Sequence, residues 1–180
     1  MTAAPWRGGG MRTARRRVRL LVSLALGPAD AWLALRMTGW RLVLPYLKRR
    51  WPLPRLARLM WGRGASRRPR PERAPRIAQL ADIVYRTQHV VRQGNCLERS
   101  LVLYRYLAAV GAEPQLLVGL RRNDGDHVGH AWVTVAGRPV HERQESVDQF
   151  VRVVVFGPGG APCRAGEPAP GQTVPEKETV

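Results

Sequence analysis

Cysteine is scarce in this chain: Cys96 and Cys163 are the only two in 180 residues. The second lies in a Gly/Pro-rich C-terminal stretch that offers no fixed partner geometry. A structural disulfide is therefore not expected, and a reducing, cytoplasmic compartment is. Also missing is an apolar run of the roughly 20 residues that a membrane-spanning helix needs. Arg15 to Leu26 begins one, but Gly27, Pro28 and Asp30 interrupt it. Its basic-then-apolar order, with Ala29 to Ala31 after it, only loosely resembles a secretion signal. Acidic residues are few where basic ones are many. Residues 1–74 hold 18 Lys and Arg against Asp30 and Glu72 alone, which accounts for 16 of the 17 net positive charges. From residue 75 onward 12 positive side chains face 11 negative ones. The charge thus describes the N-terminal region, and Arg with abundant Ala, Gly and Pro fits GC-rich coding as readily as phosphate binding. No nucleic-acid motif accompanies it.

What is present suffices for one modest domain with appendages, since 44% of the residues are hydrophobic. The spacing predicts helices over Arg12 to Leu26 and Ala29 to Leu44, broken at Gly27-Pro28 and limited by Pro45, and a third over Leu53 to Met60. This basic region, 1–61, mixes Leu, Val, Trp32 and Trp40 with Arg, so it could pack on the domain, dock a partner or rest on a membrane surface. Residues 62–75 read as a charged Pro/Gly linker, 76–156 as the core, and 157–180 as a disordered tail. Within the core, Ile77, Leu80, Ala81, Val84 and Val91 mark a helix over Arg76 to Val91. Gly94-Asn95 then breaks the chain, Asn95 is a fitting N-cap, and Leu97, Leu101, Tyr104 and Ala108 define a second helix that Gly111 stops. Strands follow at Gln115 to Leu120, Val128 to Val135, Arg138 to Glu142 and Phe150 to Phe156.

The chemistry converges on three residues. Cys96 falls in the first turn of its helix, where unpaired backbone N–H groups lower a thiol pKa and can bind the oxyanion formed when a carbonyl is attacked. His130 sits on an alternating strand that holds its ring to one face, as a general base requires. Glu142 lies twelve residues on. A three-residue loop at Val135 to Gly137 would pair it with His130; a two-residue loop at Ala136-Gly137 would put Arg143 there instead. A Cys96-His130-Glu142 triad for peptide-bond hydrolysis therefore calls for the three-residue register. A rival set of metal ligands, His127, His130 and His141 with Asp124 and Asp126, is disfavoured because 127 and 130 point to opposite strand faces. Cys163 has no base near it in sequence. The scheme needs no cofactor or metal.

Residues 94–142 (GNCLERSLVLYRYLAAVGAEPQLLVGLRRNDGDHVGHAWVTVAGRPVHE) resemble the transglutaminase-like leader peptidases of lasso-peptide biosynthesis. Three motifs carry the likeness: Cys-Leu opening an amphipathic helix with Ser100 and Leu101, a Gly-bearing strand at Leu117 to Arg121, and His-Ala-Trp-Val before a Gly turn. The resemblance implies an α+β, papain-like/transglutaminase-like core, a Cys-bearing helix packed on a small antiparallel sheet, with an N-terminal helical extension. It implies Cys96 as nucleophile, His130 as base and Glu142 as the third member, where the family typically has Asp; Asp148 is the substitute. It further implies removal of a leader from a ribosomally made precursor peptide, with a separate leader-recognition protein and an ATP-dependent macrolactam cyclase as partners. The fold also hosts acyl transfer and amide hydrolysis on other peptides. A non-enzymatic binder of peptide, nucleic acid or anionic membrane stays as the contrasting class.

Overall fold

A computed structural model describes residues 27–62, 69–86, 96–123 and 126–163. The helix expected over 12–26 and the Asn95 cap lie outside the described residues. Helix α1 spans Pro28–Arg50, with Pro28 at its first position, Asp30 in the first turn and Lys48, Arg49 and Arg50 in the last, each placed as the helix dipole favours. It does not stop at Pro45, which lies inside it. An interior proline costs about 3 kcal/mol, and full burial of a leucine returns about 1.5–3 kcal/mol. Leu44 is fully buried and Leu47 packs against the same core, so tertiary packing carries the helix through.

Helix α2 spans Leu53–Trp61 and buries Leu56, Ala57 and Met60. A 3-10 turn at Pro71–Arg73 leads into α3, Ala74–Arg86, and α4 runs from Cys96 to Ala109. Gly111, at φ +77°, ends α4: its N–H donates to Ala108 O and that of Ala112 to Leu107 O, the paired bonds of a Schellman cap. All four helices share one core with the sheet, joining Met37, Leu56, Leu80, Leu101, Tyr104, Leu116 and Phe156. Residues 62–75 thus connect two parts of one core. Buried Glu98 of α4 is ion-paired with Lys48 of α1, tying the extension to the Cys-bearing helix.

The sheet has five antiparallel strands in the order β3-β2-β1-β4-β5: β1 Pro114–Asn123, β2 Asp126–Val135, β3 Arg138–Pro139, β4 Val151–Phe156 and β5 Pro162–Cys163. Helices cover one face. On the other, Leu117, Trp132, Val147 and Val155 form a smaller cluster under the short helix α5, Gln144–Val147. Two expectations are corrected here. Residues 157–163 are not tail: Pro158–Gly160 forms a 3-10 turn, β5 pairs with β4, and the buried Tyr104 hydroxyl donates to Gly157 O. The strand expected over 138–142 stops at Pro139.

Candidate active site

The turn after β2 is the two-residue one. Val135 faces Arg138 and Thr134 faces Pro139. Ala136 and Gly137 both have positive φ, +50° and +76°, as a type I′ hairpin demands. In this register Glu142 would not face His130, so the three-residue loop that the triad called for is overturned. The residues meet all the same. After Val140 N–H bonds Val133 O, the chain bends off the ladder, and His130 Nε2 lies 2.6 Å from Glu142 Oε2. The loss of strand, rather than its continuation, brings the carboxylate round.

That early end of β3 also leaves the edge of β2 at Ala131 to be met by α4. The Ser100 hydroxyl donates to Ala131 O at 2.8 Å, and backbone N–H groups of Ala131 and Leu97 hydrogen-bond the Cys96 sulfur. Backbone N–H and C=O of one strand residue point to the same side, so one exposed peptide edge both docks the helix and serves the sulfur. Cys96 is hydrogen-bonded with His130. With Nε2 turned to Glu142, Nδ1 is the ring nitrogen left for the sulfur.

Burial pushes the Cys96 thiol up, but its bonds with His130, Ala131 and Leu97 and the imidazolium charge prevail, and its pKa falls below the ordinary value. His130 moves oppositely, to about 9, through its bond with Cys96 first and with Glu142 next, against the cost of burial. Opposite shifts in neighbouring groups favour the thiolate–imidazolium form of the pair over thiol and neutral imidazole. A thiolate is the nucleophilic form, a protonated ring can donate a proton, and the first turn of α4 carries backbone N–H groups beyond that of Leu97 that have no acceptor within the helix.

Further residues, to which the sequence assigned no part in the triad, position these. Glu142 Oε1 lies 3.5 Å from the Arg99 guanidinium, one turn along α4 from Cys96. His141 Nε2 lies 2.6 Å from Asp82 Oδ1, which pins the bend carrying Glu142 to α3. Trp132 and Phe150 wall the His130 ring at centroid distances of 5.9 and 5.0 Å. Gly119, opposite His130 in the ladder, makes room for both: a Cβ there would come within 2.9 Å of Trp132 and 3.0 Å of Phe150. Arg99 carried a signal, helical i+3 spacing from Cys96; Asp82 and Phe150 carried none.

The alternatives fall elsewhere. Asp148 is exposed and accepts from Gln144, so it is not the third partner of His130. His127 is exposed, His130 is engaged by Glu142 and His141 by Asp82, while Asp124 lies outside the described residues. Among the described residues no three His, Cys, Asp or Glu converge as metal ligands. Cys163 is half-buried beside the smaller cluster and, like Cys96, is a free thiol.

A helix-borne cysteine beside a strand-borne histidine on an antiparallel sheet is the arrangement of cysteine-based acyl-transfer folds. The model of the transglutaminase-like superfamily matches residues 32–155, more than half of the chain, and the protein belongs to that superfamily. The superfamily is typically one of cysteine-based enzymes and includes both peptidases and acyltransferases. No curated protein and no solved structure matches the chain.

Proposed function

We propose that the protein is a cysteine peptidase that removes the leader segment of a ribosomally made precursor peptide in lasso-peptide maturation. The observation that carries the peptidase reading is the Cys96–His130–Glu142 chain, with a lowered thiol pKa and a raised imidazole pKa. The substrate class rests on the resemblance of residues 94–142 to the leader peptidases. The Cys96 thiolate attacks the scissile carbonyl, and the first-turn N–H groups of α4 stabilise the oxyanion. His130 gives its proton to the leaving amine, and a thioester remains on Cys96. His130 then takes a proton from water as it attacks the thioester, releasing the leader carboxylate and the thiol. Glu142 keeps Nδ1 aimed at the sulfur by holding Nε2–H.

Acyl transfer is the second reading, favoured by the superfamily's breadth: an amine would replace water at the thioester. Incubation with the precursor, the leader-recognition protein and the cyclase, followed by mass measurement, separates the two. Leader plus core is expected; a conjugate would replace the peptidase reading. Cys96→Ala should leave the fold intact and abolish product, and retained cleavage would sink both. Among the described residues no helix is long and apolar enough to cross a membrane, and we place the reaction in the cytoplasm.

For partner docking the proposed surface is the outer face of α1. Its inner face buries Met37 and Leu44, while Trp32, Leu35, Leu42 and Tyr46 are 60% or more exposed along one stripe. Polar substitution at Leu42 and Tyr46 should weaken binding of the leader-recognition protein without altering Cys96 reactivity. Unchanged binding would remove α1 from this role and leave membrane contact or nucleic-acid binding for the basic region.

A further inference from the structure

A cavity of ≈480 Å³ opens between the start of α1, the end of α2, the turn before α3 and the C-terminal half of α4. It is not the candidate active site. Tyr106 in its wall is ten residues from Cys96 along α4, about 15 Å at 1.5 Å per residue.

Its lining is strongly cationic. Arg36, Arg73, Arg76 and Arg105 contribute four guanidinium groups against one carboxylate, Asp30. That carboxylate is already engaged by Arg76, through Nε at 2.9 Å and Nη2 at 2.7 Å. Arg105 is held in place without a carboxylate: it donates to Leu59 O at 3.1 Å and lies over the Trp40 ring. Among the described residues no acidic side chain pairs with Arg36 or Arg73 at the mouth. The Arg-rich composition alone would put such side chains in solvent, but it does not account for the wall beneath them. Tyr106 is only 5% exposed, and its buried hydroxyl has the Arg36 guanidinium beside it as a donor but no acceptor for its own proton among the described residues. A buried hydroxyl proton without an acceptor is costly, and clustered cations repel one another. An oxyanion in the cavity relieves both. The remaining wall is apolar, with Leu33, Trp61 and Ile77, which suits an organic body rather than a bare inorganic ion.

We propose that this cavity is a binding site for an organic oxyanion, a carboxylate or phosphate ester with a small apolar or aromatic body, held by Arg36 and Arg73 with the Tyr106 hydroxyl donating to it. The inference is independent of the peptidase reading. Guanidinium pairs favour such groups because the planar fork bonds two oxygens at once.

Calorimetric titration of the full-length protein tests it with phenyl phosphate, phenylacetate, benzyl alcohol and inorganic phosphate. One of the two aromatic anions should bind at a single site at least 10-fold more tightly than benzyl alcohol and inorganic phosphate. Which of them does so identifies the preferred group. The double variant Arg36→Gln/Arg73→Gln, altered at exposed side chains, should weaken that binding at least 10-fold. Tyr106→Phe should weaken it several-fold while leaving the unliganded protein at least as thermally stable. The rate of Cys96 alkylation should be the same in all. Failure of both aromatic anions to bind at millimolar concentration, or binding indifferent to the Arg36 and Arg73 changes, would overturn the proposal.

Discussion

Glu142 Oε2 lies 2.6 Å from His130 Nε2 although the two positions are not partners in the β2–β3 ladder. The contact is made from a bend, by a side chain one methylene longer than the Asp the leader peptidases typically carry. Its length is therefore part of the geometry. Glu142→Asp withdraws the carboxyl by about one C–C bond, roughly 1.5 Å, which stretches the contact beyond hydrogen-bonding range. We expect this charge-conserving change to act much as Glu142→Gln does, each lowering kcat/KM roughly 10²-fold with little effect on folding. Steady-state kinetics on the cleaved precursor check it. An Asp variant that retains wild-type activity would show that the bend adjusts freely.

The paired shifts of Cys96 and His130 make a second expectation that needs no substrate. With the thiol below its ordinary 9.0 and His130 raised to about 9, iodoacetamide should alkylate Cys96 at pH 7 faster than an unperturbed thiol. In His130→Ala the bond and charge that lower the thiol pKa are gone while burial still raises it. Alkylation at pH 7 should then fall by about 10-fold for each unit by which the thiol pKa comes to exceed 7. Stability carries the same signature. His130 is raised from 6.5, so its protonated form contributes fully below pH 6.5, and that contribution disappears as pH rises through about 9. The difference in Tm between wild type and His130→Ala should accordingly narrow between pH 7 and 10.

The juxtaposition of Cys96 with His130 was legible because each rests on a local rule: a chain break before an amphipathic helix, and strict alternation along a strand. Glu142 was found by proximity but placed by the wrong geometry, since hairpin arithmetic assumes that a strand continues and β3 ends after two residues. Pro45 misled for a related reason. Its local cost is real, but burial of Leu44 in the common core outweighs it, and that core is invisible in one helix read alone. Gly157 to Cys163 looked like tail because Pro and Gly dominate it; the carbonyl that satisfies Tyr104 is a backbone group and leaves no mark in sequence. Asp82 and Phe150 reach the site only through tertiary packing.

The β2–β3 turn offers a stabilising change. Ala136 holds φ +50°, a conformation that costs an ordinary L-residue roughly 1–2 kcal/mol, and type I′ hairpins favour Asn-Gly. Ala136→Asn should raise stability by about 1 kcal/mol, seen as an increase of several degrees in Tm for a domain of this size. Substitution by Gly should give less, because the unfolded chain gains freedom as well. A fall in Tm with Asn would mean that the turn does not adopt this conformation in solution.

Gly119 tests the aromatic wall of the site. A Cβ there would approach the Trp132 ring and the Val151 carbonyl oxygen to 2.9 Å, closer than real Cβ atoms come, with the Phe150 Cβ at 3.0 Å. Gly119 is paired on both sides, with His130 of β2 and Arg152 of β4, so β1 cannot simply move aside. Gly119→Ala must therefore displace the rings, at a cost of about 1–3 kcal/mol as in other overpacked cores. Those rings confine His130, so the change should also disturb its alignment with Cys96. We expect a lower urea midpoint together with slower Cys96 alkylation at pH 7. Loss of stability with unaltered alkylation would show that Cys96 and Glu142 hold the imidazole without the wall, while an unaffected protein would mean that β1 and β4 separate more easily at this point than their packing suggests.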